Sequence, residues 1–356
     1  MSQIKKLMLL LLLGVALACQ PTITEPLPPV EKIPVKVVVV SMFEMGADTG
    51  DRPGEFQLWV ERFPLDSTIA FPQGYRDLRY NDQGVLGMVT GIGTAKSAAS
   101  IMALGMDPRF DLSEAYWLIV GISGVDPADA SVGSAAWAEW VVDGDLSHQI
   151  DAREVPQGWS TGYIPLRMAE PYETPVPENN EGVVYRLNSE LVDWAYELTK
   201  DIELPDNESI AGFRALYEGF PNAQKPPFVL KGDQLAAMTY WHGEKLNQWA
   251  NDWTKYWTGG AGNFVTSAME DTGSLQSLSF LAKAGKADLD RVLVLRTASN
   301  YTRQYPGVTA AESLAGEKLR DKGYTAYIPA LESAYLVGSK VVNKILDQAG
   351  NGDIPQ

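Results

Sequence analysis

Tyr116-Trp-Leu-Ile-Val120 runs directly into Gly121-Ile-Ser-Gly124-Val-Asp-Pro127. Five apolar residues without polar alternation predict a strand covered on both faces. The Gly and Ser that follow place small and polar groups where such a strand ends. The same design recurs on either side of it. Upstream, Val85-Leu-Gly-Met-Val-Thr90 ends in Gly91-Ile-Gly93, and the valines 37–40 end in Ser41-Met-Phe-Glu44. Downstream come Ala268-Met-Glu270-Asp271 and Arg291-Val-Leu-Val-Leu-Arg-Thr297-Ala-Ser-Asn300. Helical periodicity separates these runs at residues 94–106, 188–200, 235–258, 274–283, 309–319 and 333–348. Residues 134–142 read as a further strand leading into the turn Asp143-Gly-Asp145. Residues 55–62 fit a helix or a strand equally well. The alternation predicts an α/β three-layer sandwich, a mixed central sheet flanked by helices, with a ligand crevice at the carboxyl edge of the strands.

Hydrophobic residues make up 45% of the chain, enough for a sizeable core. The formal charge is −16, and −18 (−16 − 2) without Lys5 and Lys6. Such acidity argues against a nucleic-acid partner, which needs a basic footprint. The two histidines, His148 and His242, have no partners at metal-ligand spacing, so no metal is expected. Neither a P-loop nor a G-x-S-x-G elbow is present.

The N-terminus has its own logic. Lys5-Lys6 precedes an apolar run at 7–18 that ends in small residues before Cys19, the one cysteine. This layout resembles a bacterial lipoprotein signal, so residues 1–18 are expected to be a signal peptide and Cys19 a lipidation site. Residues 19–34 read as a Pro-rich tether, and 35–350 as the folded body with insertions around 171–230. No later stretch reaches the length of a transmembrane helix. The expectation is an exported protein anchored by lipid to the cell envelope, its body in the periplasm or at the cell surface.

The chemistry that remains is acidic and amide. A carboxylate such as Glu270 can accept hydrogen bonds from a vicinal diol, and a neighbouring Met gives an adaptable apolar contact. Glu270 and Asp271 equally suit a helix N-terminus. Asn300 can bond a base edge or close a turn. Trp249, Trp253 and Trp257 recur at i, i+4, i+8, a spacing better suited to helix packing or an oligomer interface than to a ring-binding pocket. Tyr240-Trp-His242-Gly243 is a polar aromatic cluster at an expected strand–helix junction.

Taken in order, Thr90-Gly-Ile-Gly93, Ser97-Ala-Ala99, Val120-Gly-Ile-Ser-Gly124, Val132-Gly133, His148-x-x-Asp151, Met269-Glu270 and Thr297-Ala-Ser-Asn300 resemble the nucleoside phosphorylase and nucleosidase superfamily. Phe43-Glu44, Gly232-Asp233, Tyr240-Trp-His-Gly243, Trp249-Ala250 and Ala268-Met-Glu-Asp271 are similar to the purine nucleoside permease family over nearly the whole mature chain. The resemblance implies a nucleoside phosphorylase-like fold that recognises a purine nucleoside. Hydrolysis or phosphorolysis of the N-glycosidic bond, or binding alone as an accessory of uptake, stay open. It implies that Glu270 binds the ribose hydroxyls, that Met269 packs on the sugar, and that Gly93, Ser123, Gly124 and His242 belong to the substrate site. It implies Asn300 facing the base; for the reaction itself, Glu44 or Glu55 of the first loop region is the candidate to orient water as general base. No cofactor is implied; phosphate as co-substrate and a homo-oligomer stay open. Two departures stand out. Asn300 replaces the Asp of many bacterial relatives and cannot donate a catalytic proton, although it can hydrogen-bond a purine. The phosphate-binding Arg expected near Thr90-Gly91 is absent.

Overall fold

Strand residues that are apolar at every position can be satisfied only inside a sheet, and the five residues of Val37–Ser41 are all buried. The structure, a computed structural model, describes residues 32–178, 180–318, 326–348 and 354–355. Residues 1–31, with Cys19, the signal segment and most of the tether, lie outside the described residues. In chain order the strands are β1 (Ile33–Pro34), β2 (Val37–Ser41), β3 (Ser67–Ile69), β4 (Leu78–Tyr80), β5 (Val85–Val89), β6 (Phe110–Asp111), β7 (Tyr116–Val125) and β8 (Ala135–Ala138). Then follow β9 (Trp140–Asp143), β10 (Ser147–Gln149), β11 (Tyr163–Pro165), β12 (Val184–Arg186), β13 (Val229–Lys231), β14 (Asp233–Ala236), β15 (Phe264–Ala268) and β16 (Val292–Tyr301). The helices are α1 (Gln57–Arg62), α2 (Thr94–Gly105), α3 (Ser189–Thr199), α4 (Glu208–Ala215), α5 (Glu244–Trp257), α6 (Asp271–Lys283), α7 (Ala310–Lys318) and α8 (Tyr327–Gln348).

Among the described residues twelve strands form one mixed sheet flanked by helices. β7 is its spine. One edge of β7 pairs in parallel with β2 and, at its far end, antiparallel with β15; the other edge pairs in parallel with β16. β16 continues to β8 and then β13, while β15 continues to β14, β9 and β12. The β7–β16 ladder shifts register between Ala298 and Asn300. Such a bulge re-aims side chains, and here the consecutive Ser299 and Asn300 both face one cavity.

Several local expectations are refined. The single strand expected at 134–142 breaks at Glu139, because Asp233 Oδ1 accepts from the backbone N–H of both Glu139 and Trp140. Residues 235–236 extend β14, and the helix expected from 235 starts at Glu244 instead. The stretch 55–62 resolves into α1 from Gln57. The first ladder begins at Ile33, which pairs with Phe110, ahead of the expected boundary at 35. Asn188 caps α3 by accepting from Glu190 N and Leu191 N. The Trp249/Trp253/Trp257 stripe packs into a satellite core with Trp241 and Phe264, and Trp253 Nε1 donates to Asp143 O at 2.8 Å. That stripe is helix packing.

Candidate active site

Three consecutive residues of β7, Ile122, Ser123 and Gly124, run along a cavity of about 450 Å³. It opens at the carboxyl ends of β2, β7, β15 and β16. The end of β2 contributes Met42 and Phe43, the end of β15 contributes Ala268 and then Met269 and Glu270, and the β16 bulge contributes Ser299 and Asn300. Glu55 from the β2–α1 loop, Tyr240 from the loop before α5, and Tyr327 at the start of α8 complete the enclosure.

One part of the lining is charged. Arg296 is wholly buried on β16. Its Nε and Nη2 donate to the two oxygens of Asp271 at 3.1 and 2.6 Å, Nη2 also reaches Glu270 Oε2 at 3.3 Å, and Nη1 reaches Ile122 O at 3.3 Å. Glu270 Oε1 accepts from Gly93 N at 3.1 Å, and Oε2 from Met269 N at 3.2 Å. Glu55 accepts from Met42 N and Ile122 N, both at 2.8 Å. Three carboxyls thus share one guanidinium away from water. Burial, opposed by Arg296 and reinforced by Glu270, pushes the Glu55 carboxyl up to about 8. Burial likewise raises Glu270, again against Arg296. Gly121 makes room for this arrangement, since a Cβ there would sit 2.3 Å from Glu55 Oε1.

The other part of the lining is neutral. Asn300 Nδ2 lies 3.2 Å from Tyr301 O, an atom that can only accept, so the amide nitrogen must face it. The same nitrogen donates to Tyr240 OH at 3.0 Å, and Asn300 Oδ1 accepts from Ser299 Oγ at 2.9 Å. Gly124 lies alongside; a Cβ on it would approach Asn300 Nδ2 to 3.3 Å.

Of the residues singled out in the sequence, Ser123, Gly124, Met269, Glu270 and Asn300 line this one cavity. Gly93 stands behind it. At φ +98° it turns the chain into α2 and directs its N–H at Glu270 rather than into the cavity. Two expectations need correcting. Glu44, expected to orient water, lies outside the lining; its carboxylate accepts from the backbone N–H of Met45, Gly54, Phe56 and Gln57 and so caps α1. The loop carboxyl that lines the cavity is Glu55. His242 also lies outside the lining: its Nε2 is 3.0 Å from Ser313 Oγ, and burial lowers its pKa to about 4. The aromatic cluster presents Tyr240 to the cavity in its place.

Arg296 went unread in the sequence, although a signal was there. A charged residue inside an otherwise apolar buried strand requires a buried partner. The acidic pair that meets it stands at the end of another strand, a pairing visible only once β15 and β16 both meet β7. Among the described residues no cluster of His, Cys, Asp or Glu is arranged to hold a metal.

The family model for purine nucleoside permeases matches residues 34–350. A Schizosaccharomyces pombe protein described as a probable purine nucleoside permease is 30% identical over 320 residues, covering 88% of this chain and 89% of its own. A purine nucleoside permease of Candida albicans is also 30% identical over 320 residues, covering 87% of this chain and 75% of the relative. Among solved structures, the 5′-methylthioadenosine/S-adenosylhomocysteine nucleosidase of Helicobacter pylori superposes with a TM-score of 0.51 at 13% identity, over 87% of this chain and 99% of that one. Futalosine hydrolase of the same organism gives 0.50 at 12% identity, over 87% and 98%. Similarity at that level establishes the fold alone. The chain belongs to the purine nucleoside permease family.

Proposed function

We propose that this member of the purine nucleoside permease family binds a purine nucleoside in the β7–β16 cavity and hydrolyses its N-glycosidic bond. The observation that carries this reading is the pairing of two buried carboxyls, Glu55 and Glu270, around Arg296, with a neutral hydrogen-bonding group around Asn300 in the same cavity.

Glu270, held on both oxygens, accepts from the ribose hydroxyls and fixes the sugar. Cleavage develops positive charge on the sugar, and the two carboxyls stabilise it. Glu55 has a proton affinity close to neutral, the range in which a general base works best. In its ionised form it takes the proton of a water whose oxygen bonds to C1′. The C1′–N bond breaks with its electron pair leaving on the base, which is then protonated from solvent. Asn300 and Tyr240 hydrogen-bond the departing base. Hydrolysis is favoured over phosphorolysis because Arg296 is already compensated by Glu270 and Asp271. A phosphate there would meet the Glu270 carboxyl and, where it is ionised, Glu55, with Arg52 at the cavity lining as its opposing charge.

A second reading, capture of a nucleoside without chemistry, is favoured by one feature: the base-side group Asn300 has no acidic proton to give. The name of the family refers to transport, yet among the described residues no helix is long and apolar enough to cross a membrane.

Incubating the purified protein with inosine, guanosine and adenosine, with and without phosphate, separates these readings. Free base with ribose in both buffers is the expected result. Ribose 1-phosphate would turn the proposal to phosphorolysis, and tight binding with no base release would leave capture. The chain is further proposed to be exported and held at a membrane through a lipidated Cys19. Cys19→Ser should lose the acyl mass and leave the membrane fraction; unchanged fractionation would remove the anchor.

A further inference from the structure

Asp271 is fully buried yet does not line the cavity. It is the first residue of α6, next to the sugar-side carboxylate, and forms the closest ion pair in the site. Both of its oxygens are taken by Arg296, and Oδ2 also accepts from Gln234 Nε2 on β14. Gln234 is itself fully buried, and its amide oxygen has no partner, so holding Asp271 is the one hydrogen bond its side chain makes. A buried amide left half satisfied is unfavourable and persists where the bond it does make matters.

Asp271 fixes the guanidinium in one plane. With Nε and Nη2 on Asp271, Nη2 also reaches Glu270 and Nη1 is tied to Ile122 O. Ile122 N in turn carries Glu55. The Asp271 carboxylate also opposes the pull of Arg296 on its neighbour Glu270. We propose that Asp271, braced by Gln234, is a positioning residue that aims Arg296 at Glu270 and tempers its field at Glu55. This deepens the hydrolase reading and rests on it for its catalytic meaning.

The groups that face Glu55 are accounted for on each side. Arg296 comes from β16, Glu270 from the start of α6, and Tyr327 from the start of α8, with Arg52 of the same loop over the Tyr327 ring at 5.1 Å. Removing the Asp271 charge leaves Arg296 with a stronger hold on an ionised Glu55. The midpoint of Glu55 must then fall.

The test uses the full-length protein labelled with carbon-13 at the glutamate carboxyls and titrated without ligand, with the Glu55 resonance assigned by its loss in Glu55→Gln. Asp271→Asn is expected to lower the Glu55 midpoint by about one unit or more. The acid limb of the kcat/KM profile for inosine should move down by the same amount. Asp271→Ser keeps an acceptor for Gln234 at the helix N-terminus and should shift the midpoint the same way. A folded variant with an unmoved midpoint overturns the proposal, as does failure of both variants to fold, which would make Asp271 a purely structural group. If the wild-type protein releases no base while the midpoint still shifts, the hydrolase reading fails and the electrostatic role of Asp271 stands.

Discussion

The charged group around Arg296 and the neutral group around Asn300 occupy the same strand pair, yet they are held in opposite ways. Arg296, Glu55 and the adjacent pair Glu270 and Asp271 come from three separate stretches of chain and make a buried network in which each member affects the charge of the others. Ser299, Asn300 and Tyr240 are tied mainly by their own neighbours, a bulge and a main-chain carbonyl, and carry no charge. A buried ionic network tolerates little change, because removing one member strands another. A neutral group loses about one hydrogen bond at a time. The charged group should therefore dominate turnover, and the neutral group should tune which base is held.

The sharpest way to break this comparison is Glu270→Ala. It removes the sugar clamp and one partner of Arg296 together. The expected loss in kcat/KM for inosine is about a thousandfold or more. Near-normal turnover in this variant would put the sugar elsewhere and sink the site assignment.

Glu55→Gln comes next. It keeps the shape and removes the titrating group, so kcat should fall about a hundredfold or more while inosine affinity stays within a few-fold. The same variant reads the network without activity. The folded pKa of Glu55 is raised from 4.5 to about 8. The native state therefore binds this proton more tightly than the unfolded chain. That contribution is fully present below about 4.5 and is lost as pH rises through about 8. Gln does not titrate. Urea unfolding should show the variant gaining on the wild type from pH 5 to pH 8, by on the order of 3 kcal/mol at the top. A constant gap would mean that Glu55 is ionised throughout and that the network is not carboxyl-heavy at neutral pH.

The contrast between the groups also explains what could be read from the sequence. The strand ends were legible because apolar runs that stop at Gly, Ser or Asn carry a local signal. Those ends supplied Ser123, Gly124, Met269, Glu270 and Asn300, which the fold brings to one cavity. The charged network was legible only in part. Glu44 and Glu55 lie in one loop, and nothing local tells which carboxylate caps a helix and which is buried. That choice is made by Gly121 on a different strand, whose missing Cβ admits Glu55. Arg296 was not singled out, because its acidic partners reach it only where β15 and β16 both meet β7. His242 was chosen over Tyr240 because a cluster has no face until its loop is folded.

On the neutral side, Asn300→Ala should cost about tenfold in inosine affinity and leave kcat far less affected than either glutamate change. Tyr240, which shares the base side of the cavity, would lose the amide that donates to it. The ratio of inosine to adenosine affinity should therefore change with the variant. A collapse of kcat equal to that of Glu55→Gln would show that the amide takes part in the bond-breaking step, and the division into two groups would fail.

The smallest effect separates the two loop glutamates. Glu44 lies outside the cavity and serves the end of a short helix. Its carboxylate meets the backbone N–H groups of Gly54, Phe56 and Gln57, which lack partners within α1. α1 is only six residues long and depends on this cap and on Trp59, which packs against Gly338 of α8. Glu44→Gln keeps one acceptor oxygen of two. It should lower stability by about 1 kcal/mol, the usual scale of a lost cap, with no change in the pH profile of kcat/KM. Because the loop that Glu44 organises also carries Glu55, a small uniform drop in kcat is compatible with this role. A shift in the acid limb is not. Such a shift would mean that Glu44 senses the reacting proton, and it would move the base assignment from Glu55 back toward the residue that comes first in the loop.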